Sequence, residues 1–165
     1  MDTKTVTGVD PLDAEWDEWV ERVRLTYQAV EYTCAHRLAD ARLAGPVAVQ
    51  VAAGLVARPA VFRYWGLPYS GRIARLAEAR IAEADAGTLA PVCDWTELRA
   101  RIAGLSRAHR HALVVTCVRG EGDPALAAAL GCDEAGAVVV RAEMLAAVAE
   151  AVAPGLATAD PDGTT

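Results

Sequence analysis

The chain has 165 residues, 53% of them apolar and 23% charged, enough for one ordinary domain or two small helical ones and typical of a globular protein. Sixteen basic residues against twenty-two acidic ones give a formal charge of −6, which excludes long-range attraction of the whole molecule to nucleic acid or to an anionic membrane. No stretch reaches the roughly 18 uninterrupted apolar residues of a membrane span, and no apolar run follows Met1 to act as a signal peptide. Cys34, Cys93, Cys117 and Cys132 form no CxxC pair, so the expectation is a cytoplasmic protein whose reduced cysteines serve as small buried hydrophobes.

Alanine dominates the apolar residues and β-branched residues do not alternate with polar ones over any long run, which predicts an all-α fold. "ALVVTCV" and "AVVV" fit either a strand or a buried helix face, because periodicity cannot separate the two in so short a run. Residues 1–10 and 154–165, rich in Thr, Gly, Asp and Pro, read as mobile tails. Between them, Pro11 and the acids Asp13, Glu15, Asp17 and Glu18 mark the start of a long helix, where the helix dipole favours negative charge. Its apolar stripe is expected at Val20, Val23, Tyr27, Val30, Cys34 and Leu38.

Gly45-Pro46 introduces a second helix over about 46–57 with Val47, Val51 and Leu55 on one side. "RPAVFRYWGLPYSG" is then an aromatic connection, in which Phe62, Tyr64, Trp65 and Tyr69 either stack on single-stranded bases or, as the preferred reading, pack in a core or interface. A third helix, 69–84, places Ile73, Leu76 and Ala77 on one face and carries Arg72, Arg75 and Arg80, the densest positive charge in the chain. Residues 85–93, with Gly87 and Pro91, read as a linker between a first domain, 11–84, and a second, 94–153.

In the second domain Asp94 and Glu97 form a capping pair ahead of Trp95, Leu98 and Ile102, and Ser106 caps a helix that buries Leu113, Val114, Cys117 and Val118 and ends at Gly120. Asp123-Pro124 starts a short helix, Gly131-Cys132 turns, and Asp133 caps a last helix carrying Val138, Ala142, Leu145 and Val152. The pair 123–152 thus has the outline of a helix-turn-helix. Its charge is wrong for DNA: six acids between 121 and 150 face one base, Arg141, a net of −5. Phosphate neutralisation supplies most non-specific affinity for a duplex, and here the cations for it are missing.

Further positive charge gathers at Arg99, Arg101, Arg107, Arg110, His109 and His111, read first as a solvated helix face and second as a residual contact for nucleic acid or an acidic protein. His109-x-His111 puts its imidazoles on different faces of a helix with no carboxylate suitably spaced, so no metal is expected. No phosphate loop, nucleophile triad or placed carboxylate pair is present, so no catalytic residue and no cofactor is assigned. A helical enzyme or small-molecule binder is the weakest of the readings.

Over about residues 15–152 the chain resembles the extracytoplasmic-function sigma factors. "VRLTYQAVEYTCAHRLADARLAGPVAVQVAAGLV" is similar to the family's opening, with a helix centred on Gln50, and "GLSRAHRHALVVTCVRGEGDPALAAALGCDEAGAVVVRA" is similar to its end. In the latter Leu105, Arg110, Leu113, Gly120, Leu126, Ala127, Leu130, Gly131, Gly136, Val138 and Arg141 occupy matching places. The resemblance implies a domain resembling sigma region two that contacts RNA polymerase and melts one promoter element, and one resembling region four that reads another through its second helix. The family carries acids before the Gln where this chain has Gly45, Pro46 and Val47, and Lys or Arg in the recognition helix where it has Val139, Val140, Ala142 and Glu143. The expectation is a sigma-like regulator that works through protein contacts at Gln50, Val47, Val51, Val139 and Val140. Its partner would be core polymerase, an anti-sigma protein, another regulator or a second copy. DNA binding is weak or absent and would use Arg72, Arg75, Arg80, Arg107, Arg110 and Arg141; a working sigma factor is the alternative.

Overall fold

A computed structural model of the chain describes Gly8 and residues 10–62 and 71–156, and every regular element among them is helical. α1 spans Pro11–Arg37; Asp10 caps it, its carboxylate accepting from the Leu12 N–H at 2.9 Å, and Pro11 fills the first turn where no N–H is needed. Its buried stripe, Leu12, Trp16, Trp19, Val23, Thr26, Val30 and Cys34, keeps the spacing of threes and fours. Val20 and Tyr27, expected in that stripe, sit half-buried at its edge, while Trp16 and Trp19 take the inner places, with ring centroids 5.2 Å apart. The buried Thr26 hydroxyl is satisfied within the helix, donating to the Arg22 carbonyl at 2.9 Å.

A short 3-10 turn, Ala41–Leu43, leads into α2, Ala44–Val56. Ten of the thirteen residues of α2 are buried, so it is enclosed on nearly all sides, as a helix apolar all round must be. It packs on α1, on the four-residue α3 (Pro59–Phe62) and on α4 (Gly71–Asp85), which buries Ile73, Ala77, Ile81 and Ala84. The second part of the chain also reaches α2. Contacts come from α5 (Trp95–Ala103), from α8 (Glu134–Val152) and from a 3-10 turn, Ala153–Leu156.

One continuous cluster of buried residues therefore runs from Leu12 through α2 to Val152, across the segment read from sequence as a linker. That segment lies on the core: Leu89, Val92 and Cys93 are partly buried against it. The buried amide of Gln50 donates to the Ala90 carbonyl at 3.2 Å, and the Cys93 N–H meets the Pro154 carbonyl at 3.4 Å. Tyr27 of α1 stacks on Trp95 of α5, centroids 4.6 Å apart and planes at 11°. Residues 154–156, expected in a mobile tail, belong instead to the 3-10 turn, with Gly155 buried against Val49, Ala53 and Leu98; residues 157–165 lie outside the described residues.

α6 (Arg107–Leu113) is capped by Ser106 and widens into a π-helical turn over Val114–Val118, where the Arg119 N–H reaches back to the Val114 carbonyl at 2.8 Å. Both ambiguous apolar runs are helical: "ALVVTCV" lines the interior of this element, and "AVVV" belongs to α8. α7 (Asp123–Leu130) ends on Gly131 in the left-handed conformation, φ 69°, which glycine adopts without strain. Asp133 then caps α8, accepting from the Gly136 N–H at 2.7 Å. α6, α7 and α8 pack on one another, with Leu113, Leu126 and Met144 fully buried among them. No helix among the described residues is long and apolar enough to cross a membrane.

Candidate protein-contact face

α8 is apolar on two opposite sides. Its inner side consists of Ala137, Met144, Val148 and Val152, all buried. Its outer side, following the 3.6-residue repeat, consists of Ala135, Val138, Val139, Ala142, Leu145, Ala146 and Ala149, all exposed. Val138, Val139 and Leu145 keep 43%, 55% and 45% of their surface in water, and they make up three of the five large hydrophobic side chains exposed among the described residues. Of the apolar residues Val138, Ala142, Leu145 and Val152 that the helix carries, only Val152 faces the core. An Ala-rich helix without a polar face gives periodicity nothing to select; in the fold Met144, fully buried, lies on its inner side.

Charge borders the outer face. At 3.6 residues per turn, Glu143 and Glu150 lie along one edge and Glu134 along the other, all exposed. Arg141, the only base of the helix, is half-buried and turned back to Asp123 at the start of α7, N–O 2.8 Å. His109 of α6 lies 3.8 Å from Glu143. The rim that meets an approaching molecule is thus acidic.

The remaining candidates are distributed as follows. Val47 and Val51 are wholly buried and Gln50 is 3% exposed with its amide bonded to the linker, so in this fold they hold α2 in the core and present no surface. Val140 is half-buried against the core, beside the exposed Val139. Arg75 is exposed; Arg80 is half-buried and pairs with Glu83 at 2.6 Å; Arg110 is half-buried, its Nε enclosed without a hydrogen-bond partner among the described residues. These arginines, with Arg107 and Arg141, form no common cationic surface, since three of the five are taken by carboxylates. Tyr64, Trp65 and Tyr69 lie outside the described residues, as do the side chains of Phe62 and Arg72. Cys34 and Cys117 are buried, and burial pushes the Cys34 thiol up to about 11; Cys132, expected inside, is exposed in the turn before α8.

A second group of charges was invisible in the sequence because about a hundred residues separate its members. Asp13 of α1 meets the His111 imidazole at 2.7 Å and the Arg107 guanidinium at 3.2 Å, and Arg107 also reaches Asp10 at 3.3 Å. Beside them Glu15 pairs with Arg119, whose Nε lies 3.0 Å from its carboxylate. The hydrogen bond from His111, with Arg107 and Arg110 nearby, holds the Asp13 carboxyl below its ordinary value in spite of some desolvation. The imidazoles of His109 and His111 do turn to different partners, Glu143 and Asp13. The fold nevertheless brings two carboxylates to His111, the Asp10–Asp13–His111 ligand atoms lying within 4.8 Å of one another. Arg107 already bonds both carboxylates, so the arrangement reads as an ion-pair network joining α1 to α6 rather than as a metal centre.

No family model, no curated protein and no solved structure matches the chain.

Proposed function

We propose that this chain is a sigma-factor-like regulator that acts through protein contact, with the outer side of α8 as its contact surface and with direct promoter reading lost. The observation that carries the reading is the composition of that surface. Where a DNA-reading helix needs cations for phosphates and base edges, α8 offers Val138, Val139, Ala142 and Leu145 between glutamates, and its one arginine is paired within the molecule. The helix-turn-helix outline of α7 and α8, joined through Gly131 and capped by Asp133, supports the sigma resemblance. The burial of Gln50, Val47 and Val51 favours the protein-contact form over a working sigma factor, which would need that helix open to polymerase.

A salt series of duplex-binding measurements on the whole chain tests this. The expected result is no association with promoter-length DNA that strengthens as salt is lowered through the physiological range. A steep salt slope that disappears in Arg141→Ala would overturn the reading, because counterion release marks phosphate contact.

A further inference from the structure

We propose that the occupant of the α8 face is an amphipathic helix of a partner protein, apolar along one stripe and basic along both edges. This rests on the reading above and adds the chemistry of the partner. The outer stripe, Ala135, Val138/Val139, Ala142, Leu145/Ala146 and Ala149, repeats in threes and fours over nearly the whole helix, which is the pattern a second helix fills at close approach. Exposed alanines stand between Val138, Val139 and Leu145, so larger apolar residues of an incoming helix can approach the backbone there. Both edges are negative, through Glu143 and Glu150 on one side and Glu134 on the other.

A second copy of the chain fits poorly. It would bring this acidic rim against an identical one, and Arg141, the only cation available to either rim from α8, is already bonded to Asp123. Like charges across an interface discriminate against a partner, whereas opposite ones steer it in. The formal charge of −6 acts in the same direction at longer range. The chain's own last nine residues, ATADPDGTT, carry two acids, no base and no apolar stripe, so they lack the required chemistry.

The test uses two labelled designed peptides, each about three heptads long with Leu at a and d, one with Lys and the other with Glu at e and g. Each is titrated with the full chain and followed by fluorescence anisotropy. The Lys peptide is expected to bind at least about tenfold more tightly than the Glu peptide, a gap that narrows as salt rises. Val139→Asp, at a site 55% exposed and so compatible with an unchanged melting temperature, is expected to weaken Lys-peptide binding by about tenfold or more. The double variant Glu143→Lys with Glu150→Lys is expected to reverse the preference. Equal binding of both peptides, or a preference unmoved by the double variant, overturns the basic-helix partner and leaves the face standing. Binding of neither peptide also overturns the basic-helix partner. Undiminished binding by Val139→Asp removes the face itself, and the proposed function's surface with it. Self-association of the chain that Val139→Asp abolishes assigns the face to a second copy and overturns the proposal in that way.

Discussion

Asp13 shows how one side chain can serve two ends of a structure. At the start of α1 its charge complements the helix dipole, as the sequence alone indicates, and in space it accepts from His111 and Arg107 of α6. Its carboxyl is depressed in the folded state mainly by the His111 hydrogen bond, against an ordinary value of 3.8. A depressed acid stabilises the fold fully above its unfolded pKa and loses that contribution as pH falls through the lower folded one. The thermal midpoint of the wild type should therefore exceed that of Asp13→Asn at neutral pH. The difference should shrink on acidification below about pH 4 and vanish once the folded carboxyl is protonated; a gap constant down to pH 2 would show that the pairing contributes nothing. Because the group is at the surface, the effect is a modest one.

At the scale of elements, what could be read in advance follows from how strongly each sequence constrains its own orientation. Asp10, Asp94, Ser106 and Asp133 each cap a helix through a side-chain oxygen, and three of these starts were evident because a small polar residue precedes an apolar repeat. Gly131 marked the α7–α8 turn for the same local reason. α8 was legible as a helix but not in its rotation, since alanine and valine surround it. α2 shows one apolar side in the sequence but is buried on nearly all sides, so Gln50, which resembles a surface group, is a buried amide bonded to Ala90. The final 3-10 turn was missed because "APGL" carries no amphipathic signal; it is fixed by the fit of Gly155 into α2 and α5. A Cβ there would stand 2.9 Å from the Cβ of Ala53, 3.4 Å from Leu98 and 3.5 Å from Val49. Gly155→Ala should cost roughly 1–3 kcal/mol, since Ala53 cannot rotate away. At about 2–4 °C per kcal/mol for a chain of this length, differential scanning would resolve the loss easily.

For the whole molecule, the division into two domains that the sequence suggested meets a core without a break. Val49, Ala53 and Leu98 surround Gly155, Tyr27 stacks on Trp95, Gln50 holds the connecting segment, and Asp13 and Glu15 pair with Arg107 and Arg119, so apolar burial, ring stacking and ion pairs all cross the same boundary. Composition at 85–93, with its glycine and proline, records a turn in the chain and carries no information about what that turn rests on. A shared core predicts a single cooperative melting transition, with calorimetric and van't Hoff enthalpies equal; two resolved transitions would show that residues 11–84 and 94–153 unfold apart.

The connection between Asp85 and Asp94 is a seam, stitched at Ala90 and Cys93. Backbone amides of α1 and of α8 should then exchange their hydrogens with solvent through one common opening of the molecule. A helix settling on Val139 would slow exchange in the Trp16–Trp19 region at the far end of the chain, although it touches nothing there.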